Sequence, residues 1–163
     1  LPKHSPPASE ESPLAERTLV LLKPDAVQRG LVGRLISRLE DRGLKIAGMK
    51  LMQMDMDLAK RHYVEHVEKP FFAGLSAFML SRPIVAMAVE GKNAVESVRA
   101  TLGATNPQNA VPGTVRADFA IDIGRNLMHG SDSVESAERE LAIFFADGEL
   151  HDYERETDRW IEE

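Results

Sequence analysis

One histidine lies in a short stretch of sequence whose residues could support covalent chemistry. His129 begins the sequence His-Gly-Ser-Asp-Ser, which leads into a helical pattern. A neutral imidazole is a good nucleophile near pH 7, and it can carry a phosphoryl group when one ring nitrogen is free and an acceptor holds the other. We expect Gly130 to leave space for a tetrahedral group. Three acidic side chains of the following segment are candidates to orient the ring: Glu135, Glu138 and Glu140.

Cationic side chains at the ends of predicted elements could hold phosphates near this histidine. Lys23 stands at the exit of the first predicted strand, Arg99 late in a predicted helix, and Arg116 near the end of a long loop. Asn126 precedes the histidine by three residues. Guanidinium groups suit phosphate because their planar fork donates in pairs. Solvated surface charge is the alternative for each, since most Lys and Arg side chains are exposed.

Aromatic side chains offer a surface for a nucleobase. Phe71 and Phe72 start a predicted short helix, and one of them could lie in the core while the other stacks on a base. Both could equally lie in the core. Tyr63 could donate a hydrogen bond to a site histidine or could complete the core. Three further histidines show no metal-ligand spacing, and we expect them at the surface: His62, His66 and His151.

Length and composition limit the classes of protein that this chain can be. It has 163 residues, no cysteine and a formal net charge of −6, from 20 Lys and Arg against 26 Asp and Glu. The absence of cysteine excludes disulfides, thiolate metal sites and a cysteine nucleophile. The negative net charge argues against strong nucleic-acid binding. No apolar run reaches the roughly 20 residues of a membrane span. Residues 1–16, rich in Pro, Ser and Glu, predict a disordered arm without the pattern of a secretory signal, and we expect a cytoplasmic location.

Hydrophobic periodicity predicts alternating strands and helices over the rest of the chain. The order β-α-β-(αα)-β-α-β-α predicts an α/β fold (an α+β sandwich) with a βαββαβ four-stranded antiparallel sheet, helices on one face, and the helical pair inserted between strands 2 and 3. Periodicity alone leaves a small doubly wound sheet open. The predicted strands are 18–22, 45–54, 84–89 and 119–123. The predicted helices are 30–42, 58–67, 71–80, 93–102 and one capped by Asp132, with a loop at 103–118.

Five collinear segments follow the pattern of a known family, and the last contains the specific motif N-x-x-H-G-S-D. They are RTLVLLKPDAVQRGLVG (17–33), HYVEHVEKPFFAGL (62–75), VRATLGATNP (98–107), PGTVRADF (112–119) and GRNLMHGSDSVESAERE (124–140). With them the chain closely resembles the nucleoside diphosphate kinases from residue 17 to about residue 161. The resemblance implies a single domain of that kind over 17–163, with a ferredoxin-like fold.

The resemblance also implies a role for each matching residue. His129 matches the phosphohistidine nucleophile, and Phe71 matches the aromatic residue on which the base stacks. Five residues match those that hold the nucleotide phosphates and sugar: Lys23, Arg99, Thr105, Arg116 and Asn126. Three match the residues that support the histidine: Tyr63, Ser131 and Glu140. The Mg²⁺ ion of the family is held mainly by phosphates and water, so no protein ligand is assigned.

The activity implied by the resemblance is transfer of the γ-phosphate of a nucleoside triphosphate to a nucleoside diphosphate, by a ping-pong mechanism with broad base specificity. The family also implies a homo-oligomer, for which we expect a hexamer rather than a tetramer. Ala73, Val89 and Ala117 depart from the usual Pro, Trp and Gly, and none is a matched phosphate or histidine position. A non-catalytic scaffold on the same fold and a phosphorelay histidine domain on an all-helical bundle are the competing interpretations.

Overall fold

The structure, a computed structural model, describes residues 15–163. The predicted arm at 1–16 therefore lies almost wholly outside the described residues. Within that part of the chain there are four strands: β1 (Glu16–Leu22), β2 (Lys45–Met52), β3 (Ile84–Gly91) and β4 (Met128–Gly130). The α-helices found there are α1 (Pro24–Gln28), α2 (Val32–Asp41), α3 (Met56–His62), α4 (Phe72–Leu80), α5 (Ala94–Leu102), α6 (Val115–Phe119) and α7 (Val134–Phe144).

The strands form one antiparallel sheet in the order β2-β3-β1-β4. This is the four-stranded antiparallel α+β fold that the sequence predicts, with α3 and α4 inserted between β2 and β3. The prediction of helices on one face is wrong. The central strands β1 and β3 are buried on both sides, because separate apolar clusters cover the two faces of the sheet.

Alternate residues of β1 show which helices cover which face. Val20 and Leu22 pack in a cluster with residues of α2 and α5, whereas Leu19 and Leu21 pack with residues of α3, α4 and α7. In the antiparallel ladder Leu21 lies opposite His129 of β4. Because directly opposite residues project to the same face, the side chain of His129 is directed toward α3 and α7.

The last predicted strand, 119–123, is wrong. The chain forms α6 up to Phe119, with Thr114 as N-cap, and then runs through an irregular segment in which Ile121 is 77% exposed. The fourth strand is β4 instead, only three residues long. The predicted loop at 103–118 correspondingly contains a 3₁₀ turn and α6. Alternating apolar residues mark a strand only when one face is buried, and those at 121 and 123 are both exposed.

Helix boundaries also differ at three places. The predicted helix at 58–67 is α3, which begins at Met56 and ends at His62. The predicted helix at 30–42 begins at Val32 and is preceded by the separate helix α1. The N-cap of α7 is Ser133, not Asp132, and its hydroxyl accepts a hydrogen bond from the backbone N–H of Ser136 at 3.0 Å. Ser and Asp are similar N-cap residues, so the sequence alone does not choose between adjacent candidates.

The three departures from the family pattern fit their surroundings. Ala73 is exposed on α4, Val89 is fully buried in β3, and Ala117 lies within α6 without a positive φ. None of the described helices is long and apolar enough to cross a membrane.

Candidate active site

A cleft of about 300 Å³ opens where β1, β4, α3 and α7 meet the 103–116 segment. It brings together residues that are far apart in the sequence. Eight of the ten predicted site residues line it: Lys23, Tyr63, Arg99, Thr105, Arg116, Asn126, His129 and Glu140. Ser131 lies behind the wall and is fully buried, and Phe71 is not among the lining residues.

The ring of His129 is held by a carboxylate from α7. Its Nε2 lies 3.2 Å from Oε2 of Glu140, and the imidazole side chain is 24% exposed to the cleft. The hydroxyl of Ser131 donates to the same carboxylate oxygen, and it accepts the backbone N–H of Leu19 at 3.3 Å. Of the three acidic candidates in the sequence, Glu140 is therefore the one that orients the ring.

The environment of Glu140 favours its ionised form. Burial acts to raise the pKa of this carboxyl, but hydrogen bonds from His129 and Ser131 outweigh it and hold the pKa below its ordinary value. An ionised carboxylate can only accept, so Nε2 of His129 carries the proton. The other nitrogen, Nδ1, is then left with a free lone pair, which is the form that a nucleophilic imidazole requires.

Gly130 has a different role from the one expected from the sequence. A Cβ atom at this position would lie 3.0 Å from Cγ1 of Val98 and 3.4 Å from Cδ2 of Leu102. Both residues belong to α5, which packs on the buried side of β4. The glycine thus permits close packing of α5 against the strand that carries His129, rather than leaving space for a tetrahedral group.

A strained residue fixes the start of β4. Leu127 is fully buried with φ of +75°, a left-handed conformation that costs a branched residue about 1–3 kcal/mol. Its N–H donates to Oδ2 of the buried Asp25 at 3.0 Å, and its carbonyl accepts the N–H of Lys23 at 2.8 Å. These two bonds tie the segment before His129 to the end of β1. Sequence reasoning missed Asp25, although an acid directly after Lys-Pro at a helix start is a recognisable signal.

The ammonium of Lys23 is positioned by the same segment. Its Nζ donates to Oδ1 of Asn126 at 2.7 Å, and Nδ2 of Asn126 donates to the carbonyl of Thr105 at 2.9 Å. Burial, together with the nearby charge of Arg116, lowers the pKa of Lys23 to about 8. A cation in so dry a position attracts an anionic ligand more strongly than an exposed lysine does.

Arg116 connects three parts of the cleft wall. Its guanidinium donates to the carbonyls of Met128 at 2.7 Å, Gly103 at 2.9 Å and Asn126 at 3.3 Å. Burial and the charge of Arg99 lower its pKa to about 10, so it stays charged at neutral pH. Arg99 donates to the carbonyl of Gly130 at 3.3 Å. The two guanidiniums and Lys23 give the cleft a strongly positive wall in an acidic chain.

The aromatic pair divides between surface and core. Phe72 is 8% exposed in the core, and Phe71 is 53% exposed beside the cleft. The ring centroid of Phe71 lies 5.3 Å from that of His66, which lines the cleft, and Lys69 lies over the ring of Phe71 at 5.8 Å. A flat aromatic face thus stands next to the cleft and is open to solvent.

His62 contradicts the expectation of a surface residue. Its side chain is only 1% exposed, and its ring packs edge-on against His129 with centroids 4.9 Å apart. Tyr63 also packs against His62, with ring centroids 4.5 Å apart, and burial raises the pKa of the Tyr63 hydroxyl. The described part of the chain shows no hydrogen bond from the Tyr63 hydroxyl to His129. Burial is the main cause that lowers the pKa of His62 to about 3, so the ring is neutral.

Potential metal ligands also meet here. The ligand atoms of His62, His129 and Glu140 lie within 4.8 Å of one another. Exposed carboxylates stand elsewhere on the cleft wall, at Asp132 and Glu65.

Comparison with known proteins finds one family throughout. The sequence model of the family described as nucleoside diphosphate kinase matches residues 16–150. A nucleoside diphosphate kinase of Desulforamulus reducens is 56% identical over 148 residues, which are 91% of this chain and 99% of that protein. One from Archaeoglobus fulgidus is 55% identical over 148 residues, 91% of this chain and 98% of the relative.

Solved structures agree with the sequence matches. The halophilic nucleoside diphosphate kinase from Halobacterium salinarum in complex with CDP superposes with a TM-score of 0.89 at 50% identity, covering 91% of this chain and 99% of the other. A nucleoside diphosphate kinase family protein from Babesia bovis superposes with a TM-score of 0.88 at 40% identity. The superposition covers 90% of this chain and 99% of the other.

Proposed function

Because the chain belongs to the nucleoside diphosphate kinase family and is an enzyme of that kind, we propose that it moves the phosphate in two steps, through a phosphohistidine at His129. The observation that carries this proposal is the contact between Nε2 of His129 and the carboxylate of Glu140 inside a positively charged cleft. That contact leaves Nδ1 as the nucleophile.

Neither of the two steps needs a general base, because the attacking atoms already carry free lone pairs. In the first, Nδ1 of His129 attacks the γ-phosphorus, and the bond from that phosphorus to the β–γ bridging oxygen breaks. The electron pair of this bond leaves with the nucleoside diphosphate. In the second, a terminal oxygen of another nucleoside diphosphate attacks the phosphorus, and the electron pair of the P–N bond returns to Nδ1. Nε2 keeps its proton throughout, and the positive charge that develops on the ring is offset by Glu140.

The cations of the cleft wall would bind and align the phosphates. A guanidinium has five N–H donors, and Arg116 donates three hydrogen bonds to backbone carbonyls. Two N–H groups therefore remain for a ligand. Lys23 and Arg99 add two further charges, while Thr105 and Asn126 supply polar groups for the sugar or phosphates. Phosphoryl transfer depends mainly on such positioning and neutralisation.

Mg²⁺ fits this site as an ion that enters with the nucleotide. Mg²⁺ prefers oxygen ligands and usually keeps several waters beside substrate phosphates, and the cleft wall offers an exposed carboxylate, Asp132, that would hold a metal-bound water. When bound, the ion would supply charge neutralisation for the phosphates.

Base recognition would rest on stacking. The exposed face of Phe71 beside the cleft supports this role, and stacking reads no hydrogen-bonding edge of the base. Purine and pyrimidine nucleotides should therefore both be substrates.

Assembly as a homo-oligomer, a hexamer rather than a tetramer, is the proposed quaternary state. Large apolar side chains that are more than half exposed support it, because such groups usually mark interaction surfaces when they cluster. Among them are Met49, Leu51, Val111, Ile121 and Ile123. Light scattering coupled to size-exclusion chromatography measures the number of subunits.

The competing interpretations are excluded by the fold and the family. A phosphorelay histidine domain requires an all-helical bundle, whereas His129 lies on a four-stranded sheet. A non-catalytic scaffold is inconsistent with membership of an enzyme family, two members of which are 55% and 56% identical to this chain.

Labelling with γ-labelled ATP and Mg²⁺ tests the phosphohistidine. The wild-type protein should take up one acid-labile, base-stable label, which GDP then removes. His129→Ala should take up none, and His151→Ala, which changes an exposed histidine away from the cleft, should label like wild type. Equal labelling of His129→Ala would refute the assignment.

A further inference from the structure

Among the described residues, none forms a hydrogen bond with the ring nitrogens of a buried histidine beside His129. The side chain of His62 is 1% exposed, and neither Nδ1 nor Nε2 makes a hydrogen bond within residues 15–163. Nearly all buried polar groups in proteins have such a partner, because leaving one unpaired is unfavourable. An aromatic or aliphatic residue would fill this space without that cost. The position therefore indicates a function for the ring nitrogens.

The surroundings of His62 have the composition of a transition-metal site. Nδ1 of His62 lies 3.9 Å from Oε1 of Glu140, and Nε2 of His129 lies 3.2 Å from Oε2. Two ligands of a tetrahedral zinc ion, each about 2.1 Å from the metal, stand about 3.4 Å apart. The ligand atoms of the three residues all lie within 4.8 Å of one another, so each separation is within about 1.4 Å of that value.

We propose that His62, His129 and Glu140 form a site for a zinc-type divalent ion, with three protein ligands and a fourth position open to the cleft. Two imidazoles and one carboxylate are a ligand set that zinc uses in catalytic sites, whereas Mg²⁺ prefers oxygen ligands alone. The site is thus distinct from the Mg²⁺ that accompanies the nucleotide. Its opening is the cleft itself, which His62 also lines.

Of the cations in the cleft, Arg139 is the one that lies against the carboxylate of Glu140, and this contact makes the proposal more specific. Nη2 of Arg139 lies 4.0 Å from Oε1 of Glu140, and this arginine side chain is 40% exposed. Arg139 would compete with the metal for the carboxylate. Replacing it with glutamine should therefore strengthen metal binding.

Occupation of the site would block phosphorylation, a consequence that rests on the proposed function. A metal at Nε2 uses the lone pair of that nitrogen, so the ring proton must lie on Nδ1. Nδ1 then has no lone pair with which to attack phosphorus. The ion would hold His129 in an unreactive tautomer, and zinc at the protein concentration should lower the yield of phosphoenzyme.

Metal binding is tested on the full chain without nucleotide, so the test does not depend on catalysis. Co²⁺ is the probe, since it shows a strong visible absorption when four- or five-coordinate and a weak one when six-coordinate. We expect one strong-absorbing Co²⁺ per chain, displaced by an equivalent of Zn²⁺ and not by excess Mg²⁺. A weak, six-coordinate spectrum or ready displacement by Mg²⁺ would overturn the site.

Variants identify the ligands. His62→Asn and Glu140→Gln should each lower Co²⁺ affinity at least about tenfold, since losing even an outer-shell partner of a metal ligand typically costs about 10–100-fold. His66→Asn is the matched control, since His66 lines the same cleft but its Nδ1 lies 3.2 Å from Nζ of Lys69. Arg139→Gln should bind more tightly than wild type. Wild-type affinity in both His62→Asn and Glu140→Gln would contradict the proposal, and neither result changes the assignment of the phosphohistidine.

Discussion

Replacing Glu140 with glutamine removes the negative charge that faces Nε2 of His129 while keeping the size of the side chain. The amide oxygen can still accept the ring proton, so the tautomer of the histidine is preserved. What is lost is the charge that, in the proposed mechanism, offsets the imidazolium formed when Nδ1 bonds to phosphorus. The main effect should therefore be on the rate of phosphorylation rather than on nucleotide affinity.

The magnitude follows from the contacts in the structure. The bond from His129 to Glu140 is charge-assisted once the ring becomes cationic, and hydrogen bonds to charged groups contribute about 1.5–3 kcal/mol. Since about 1.36 kcal/mol corresponds to a tenfold change in rate, phosphorylation should slow about 10- to 150-fold. The bond from Ser131 to the same carboxylate contributes to the orientation of the side chain and is not counted in this range.

Rapid-quench measurement of phosphoenzyme formation from labelled ATP determines this rate directly. Glu138→Gln is the matched control, because Glu138 is an exposed carboxylate on the same helix. It should phosphorylate at the wild-type rate. If Glu140→Gln is folded and phosphorylates within twofold of wild type, the carboxylate does not stabilise the developing charge, and the reasoning is refuted.

Other perturbations test separate parts of the site. The value of kcat/KM for nucleotide should fall as the pH rises through about 8, because Lys23 is charged below its lowered pKa and neutral above it. Phe71→Ala should weaken nucleotide binding about 5- to 150-fold with little loss of stability, whereas Phe72→Ala should lower the free energy of unfolding by about 3–5 kcal/mol. Asp25→Ala should lower the free energy of unfolding by about 1–3 kcal/mol, because it leaves the buried N–H of Leu127 without an acceptor.

The expectations for Lys23, Phe71 and Asp25 would each be contradicted by a specific result. A profile of kcat/KM that stays flat from pH 7 to pH 9.5 would show that the charge of Lys23 does not limit binding. Nucleotide titrations that give Phe71→Ala the wild-type affinity would remove the stacking role. Urea denaturation that finds Asp25→Ala as stable as wild type would show that the bond to Leu127 contributes nothing.

The central strands and the signature motif could be predicted because their signals are local. The runs at 19–22 and 84–89 are continuously apolar, as strands buried on both faces are. The strand β4 could not be predicted in this way, because three residues carry too little pattern and are held by pairing with β1. Alternation near residues 121 and 123 suggested a strand where apolar side chains are in fact exposed.

In the candidate site, too, the sequence predicts what a local motif encodes and does not predict contacts that depend on the tertiary fold. The motif and the family resemblance identified His129 and its matched partners, but convergence of Lys23 and Arg116 depends on the whole fold. The burial of His62 depends on the packing of α3 against α7, so the spacing of histidines gave no sign of it. The role of Gly130 likewise depends on how closely α5 approaches β4.

Identification of the phosphorylated nitrogen tests the central claim most directly. Nuclear magnetic resonance of the ¹⁵N-labelled phosphoenzyme, with coupling between phosphorus and the ring nitrogens of His129, distinguishes the two positions. The phosphate should be on Nδ1, with Nε2 still carrying its proton beside Glu140. Phosphate on Nε2, or on any residue other than His129, would contradict the account.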